Sequence, residues 1–183
     1  MGYAELRDAL WSDYQRERRL QMDQKAFEIL LRVFPAVLVA QADGFTDISE
    51  VHRLDEIVAF LCRHESVSPT ELDWRAELRY LAIDAAFWRS RFMEVLYAFL
   101  QENPEMYKEQ AEFLYATAAA STGDVVKNLL LRLRRAEPGV ETTAELISGE
   151  ERREIQRITQ ELRFDEAPEA LAYLQALLEG KHA

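Results

Sequence analysis

Three carboxylates, Asp43, Asp47 and Glu50, stand close together in the connection Ala42-Asp43-Gly44-Phe45-Thr46-Asp47-Ile48-Ser49-Glu50. Two kinds of chemistry suit such a set. As helix caps, Asp43-Gly44 would close one helix and Asp47 would open the next, with Glu50 three residues on completing a capping box. As ligands, their hard oxygens would converge on a divalent cation such as calcium, which accepts carboxylates from a flexible loop. The pattern is not an EF-hand. That template, started at Asp43, needs an acid or amide at Phe45, glycine at Ile48 and glutamate at Leu54. With His52 added, Asp43, Asp47 and Glu50 could instead arm a metal-dependent hydrolase, provided that they line a concave pocket with an open coordination position.

Elsewhere the chain offers little reactive chemistry. Histidine, the usual general base, occurs at His52, His64 and His182, and His52 with Glu56 has the spacing of a surface pair on one helix face. The sequence contains no H-E-x-x-H, no pair of Glu-x-x-His motifs, no glycine-rich phosphate loop and no Gly-x-Ser-x-Gly turn. Cys62 lies one turn beyond Val58 on the expected core side, which marks it as a packed thiol. No nucleophile, base and orienting group come together, so the expectation is a non-catalytic domain.

The elements that must hold the acidic connection are helices. Phe27, Leu30, Leu31, Phe34, Val37 and Leu38 recur at helical spacing, and Val33, Ala36, Val39 and Ala40 fill most of the remaining circumference. A helix apolar nearly all round is buried on most sides. Pro35 inside it predicts a kink, the alternative being a fresh helix start. Beyond the connection, Leu54, Ile57, Val58 and Leu61 form the face of a second helix.

The rest of the chain reads as further helices. Residues 3–19 carry Leu6, Leu10 and Tyr14 on one side and end in a basic, solvated cap. Ser68-Pro69-Thr70-Glu71 has serine, proline and glutamate at the positions of a helix start, and the helix it opens should bear Leu72, Trp74, Leu78, Leu81 and Ala82 before a break near Asp84. Phe87, Trp88, Phe92, Val95, Leu96, Phe99 and Leu100 follow as a core stripe. Asn103-Pro104 starts a helix with Tyr107, Ala111, Leu114, Tyr115 and Ala118, whose small residues Ala116, Ala118, Ala119 and Ala120 suit close packing against the 27–42 helix. Asp124 can cap a helix ending in basic residues 132–135, with Leu131 off its core face, and residues 136–147 have no apolar period and form a flexible loop. Ser148 and Glu151 form a capping box ahead of Ile155, Ile158 and Leu162, and Pro168 opens a last helix bearing Leu171, Leu174, Leu177 and Leu178 that Gly180 ends.

Val39-Ala40-Gln41-Ala42-Asp43-Gly44, followed by Ile48-Ser49-Glu50 and an amphipathic helix, resembles the TerB-like family associated with tellurite resistance. Residues 34–44 lie on 113–123 without a gap, matching Phe34 to Phe113, Ala40 to Ala119 and Gly44 to Gly123, while Ile147-Ser148 echoes Ile48-Ser49. The second copy departs at Ser121-Thr122-Gly123, which lacks the loop aspartate. The resemblance implies an all-α helical bundle of about eight or nine helices in two pseudo-repeated halves across residues 26–178, with residues 1–22 as an added N-terminal helix. It also implies a divalent metal held by acidic loop residues, which by position are Asp43, Glu50 and Glu151, and a stress-response setting.

Composition narrows the partners. A chain of 183 residues with 49% hydrophobic content suits one domain, 1–183. A net charge of −11 argues against nucleic acid and favours a basic protein partner, a cation or plain solubility, whereas a structural role would have exposed leucines such as Leu131 covered in a homodimer. Glu28 and Arg32 interrupt the longest apolar run before it reaches the roughly 18 residues of a membrane span. The start Met1-Gly2-Tyr3-Ala4-Glu5 has no secretory pattern, and a single cysteine is in keeping with a cytoplasmic location.

Overall fold

The computed structural model describes residues 1–42, 48–119 and 147–181, with residues 48–50 described by their backbone alone. Among these there are eight α-helices and no strand, so the chain is all-α as expected. The helices are α1 (Tyr3–Arg18), α2 (Gln24–Ala40), α3 (Ile48–His64), α4 (Trp74–Ile83), α5 (Ala85–Glu102), α6 (Met106–Ala118), α7 (Gly149–Glu161) and α8 (Pro168–Leu178), with a 3-10 turn at Phe164–Glu166.

The centre is α2, which packs against α3, α4, α5, α6 and α7. From Ala26 onward every residue of α2 but Glu28 is buried, as its apolar circumference requires. It runs as one helix through Pro35 rather than restarting there. The only backbone bond that Pro35 forfeits is the one to Leu31 four residues earlier. α2 ends at Ala40, where the Gln41 and Ala42 amides donate to Val37 and Val39, so the helix stops before Asp43-Gly44 is reached. The matched residues Phe34 and Phe113 are both fully buried, and their helices, α2 and α6, lie side by side.

Several local expectations need correction. Ser68-Pro69-Thr70-Glu71 makes only a turn, with the Glu71 amide donating to Ser68 O, and α4 starts later, at Trp74. Asp73 outcompetes Ser68 as the cap because its carboxylate accepts from the Ala76 amide at 3.1 Å while the Trp74 indole donates back to Pro69 O at 3.1 Å, folding the turn against the helix. Pro104 likewise lies in a turn ahead of α6, whose first residue is Met106. Phe87, placed in the core stripe of α5 by its spacing, is 61% exposed beside the Asp84 break. The predictions for α7 and α8 hold, including the Ser148 and Glu151 capping box, Pro168 at the start of α8 and Gly180 at φ 67° beyond its end.

The basic end of α1 is solvated at Arg16 and Arg19, as expected, but not at Arg18. Arg18 reaches across to α4 and binds Glu77 through Nε and Nη2, both at 2.9 Å, and its guanidinium stacks 3.9 Å from the Tyr80 ring. Glu77 also accepts from the Tyr14 hydroxyl at 2.7 Å and is buried. These bonds tie α1 to α4. Burial, and after it the Glu77 charge, raises the Tyr14 hydroxyl above its usual range. The expectations made for residues 124–135, for Leu131 and for the loop up to residue 146 lie outside the described residues.

Candidate functional site

The end of α2 that leads into the acidic connection also forms the floor of a groove. Val37 and Ala40 of α2, Leu54 of α3 and Leu78 of α4 make an apolar base, and the groove encloses about 550 Å³. Val51, on α3, and Ile83, on α4, stand at its edge, 37% and 68% exposed. With Met1 and Phe87 they are the large hydrophobic side chains exposed among the described residues. An ion pair between Arg75 and Asp55, 2.9 Å apart, bridges the two walls. Arg79 also lines the groove, and among the described residues it makes no ion pair or hydrogen bond.

Groups with shifted pKa lie away from this groove. Arg32, on α2, is 4% exposed and binds Glu109 of α6 through Nε at 3.0 Å and Nη2 at 2.6 and 2.8 Å, while its Nη1 donates to Glu65 at 2.6 Å. Burial opposes the charge of Arg32, but the two carboxylates outweigh it and hold the guanidinium more basic than usual. For Glu65, burial is likewise outweighed, here by Arg32, and its carboxyl titrates below the ordinary range. Gln110 completes the cluster by donating to the Arg32 carbonyl at 3.0 Å. Tyr107, under the 3-10 turn, donates to Leu162 O at 2.7 Å and is pushed up to about 12 by burial. Each of these groups is committed to a partner inside the bundle.

Of the expected site residues, Glu151 is the one whose side chain lies among the described residues. Asp43 and Asp47 lie outside them, and Glu50 is placed only by its backbone in the first turn of α3. Glu151 is buried and serves its capping box: its Oε2 accepts from the Ser148 amide at 2.8 Å while its own amide donates to Ser148 Oγ at 3.1 Å. Among the described residues no three His, Cys, Asp or Glu side chains are grouped so as to hold a metal ion. His52 is exposed on α3, Glu56 is half-buried, and Cys62 is buried with its thiol raised by desolvation.

Two arginines with a shared role were missed in the sequence. Arg53 donates to Thr117 O at 2.9 Å in the last turn of α6, and Arg152 donates through both Nη atoms to Leu178 O at the end of α8. Each brings positive charge to a helix carboxyl end, where the aligned carbonyls favour it. Counting on from Ile48 and from Ile147 reaches both at the same step, so the repeat itself was the signal that could have paired them.

A second depression, about 1130 Å³, lies open over the turn between α1 and α2 and is lined largely by polar side chains such as Gln15, Arg16 and Gln24. No helix among the described residues is long and apolar enough to cross a membrane. Comparison with protein-family models, with curated proteins and with solved structures found no match to this chain.

Proposed function

We propose that this chain is a non-catalytic helical binding domain of TerB-like architecture, working in the cytoplasm in a stress-response setting, that takes a protein partner at the α3–α4 groove. The groove is the observation that carries this reading. It couples an apolar floor to exposed Val51 and Ile83, a combination that gains free energy when a partner covers it. The shifted titratable groups support binding over catalysis, because they are engaged in ion pairs and hydrogen bonds inside the bundle rather than aimed into the groove.

The test is site-specific photo-crosslinking in cells. A photoreactive residue at position 83 should give a discrete heteromeric adduct that Val51→Glu abolishes, while the same residue at the exposed Glu169 of α8 gives none. An adduct of twice the chain's own mass would replace this reading with a homodimer. The cation is tested separately, by the melting temperature of chelator-stripped protein with and without calcium, magnesium, manganese or zinc. A rise that Asp43→Ala removes would add a metal to the connection, since a ligand that binds only the folded state must stabilise it.

A further inference from the structure

From the chemistry of the groove we infer that its occupant is an amphipathic helix whose apolar ridge is flanked by carboxylates; the inference rests on the groove being the docking surface. Three observations lead there. The first is shape: the groove is bounded by two α-helices whose backbone groups are bonded internally, so it has no free strand edge to pair with an extended peptide. A helix arrives with its own backbone satisfied and needs only apolar side chains to enter such a cleft. The second is the floor, where Leu54, Leu78, Val37 and Ala40 present hydrocarbon and no charge.

The third is charge. Arg75 and Asp55 neutralise each other across the groove, leaving Arg79 as its unpaired charge among the described residues. A carboxylate beside the apolar ridge would pair with Arg79. A lysine or arginine there would meet a like charge, and Asp55 is already engaged by Arg75. The net charge of −11 does not reverse this preference. At physiological ionic strength charges farther than about 8 Å are largely screened, so among the described residues the contact is decided by those that line the groove.

The experiment is selection of a displayed library of short amphipathic helices, randomised at the positions flanking the apolar ridge, on the full chain. Wild type should enrich glutamate and aspartate at the flanks, and Arg79→Glu should lose that enrichment and turn it toward lysine and arginine. Selected acidic peptides should bind Arg79→Glu roughly fivefold more weakly than wild type, in line with a partly exposed ion pair, with Arg79→Lys keeping most of the preference. Enrichment that depends on Ile83 but shows no charge preference would overturn the acidic occupant and leave the docking surface standing. Enrichment that survives Ile83→Glu, or none at all from a variant set with unchanged melting temperatures, would overturn the docking surface and the occupant with it.

Discussion

Arg32 and Arg79 are both arginines set against apolar surface, and the protein treats them in opposite ways. Arg32 is buried between α2 and α6, with four hydrogen bonds to two carboxylates. Arg79 is exposed in the α3–α4 groove and has no partner among the described residues. A buried charge costs several kcal/mol unless paired, so a buried arginine must recruit carboxylates from other helices. An exposed one keeps its water and stays available. The comparison separates the closed centre of the bundle, where polar groups serve the fold, from the groove at the end of α2, where Arg79 stays in water.

Breaking the closed centre should have the largest effect. Arg32→Ala leaves Glu109 buried without its guanidinium and is expected to cost about 3–5 kcal/mol in urea unfolding, whereas Arg32→Met combined with Glu109→Leu should recover much of that loss. A single-variant cost below about 1 kcal/mol would mean that water already reaches the cluster. Next comes the parallel cluster between α1 and α4. Tyr14→Phe removes the hydroxyl that donates to Glu77 at 2.7 Å and should cost about 1.5–3 kcal/mol, the range for a hydrogen bond to a charged group.

Ser148→Ala should cost about 1 kcal/mol as a lost helix cap, and calcium should neither restore that loss nor shift the melting temperature through Glu151. A calcium-dependent rescue would make Glu151 a metal ligand as well as a cap. A smaller effect is expected from acid. The carboxyl of Glu65 titrates below its ordinary value of 4.5 in the folded chain, so its contribution is present above that value and is lost as pH falls through the lowered one. Urea midpoints measured from pH 6 downward should show this loss in wild type and a reduced slope in Glu65→Gln. At the open end, Ile83→Glu should change stability by no more than about 0.5 kcal/mol while abolishing the enrichment of amphipathic helices by the groove. A large loss of stability there would show that Ile83 belongs to the core.

How much of this was legible in the sequence depended on the range of the forces involved. The burial of α2 was readable because an apolar circumference leaves a helix no solvent face, and the capping box at Ser148 and Glu151 was readable because both partners lie within one turn. Ser68-Pro69 misled because two capping signals, Ser68 and Asp73, stood within a few residues, and the Trp74 indole bond to Pro69 O favoured the later one. Glu151 was legible as a cap because its partner, Ser148, stands three residues away.

The sequence by itself determined the helical class, the buried central helix and most helix starts, since these follow from side-chain period and from contacts between near neighbours. Tertiary structure alone decided which charges are paired between helices. The partners of Arg18, Arg32 and Arg53 are 59, 77 and 64 positions away in the chain, at Glu77, Glu109 and Thr117. Nothing in the local pattern distinguishes these arginines from Arg79. The difference is made by which helices α2 gathers around it, because packing removes water from one guanidinium and leaves it around another.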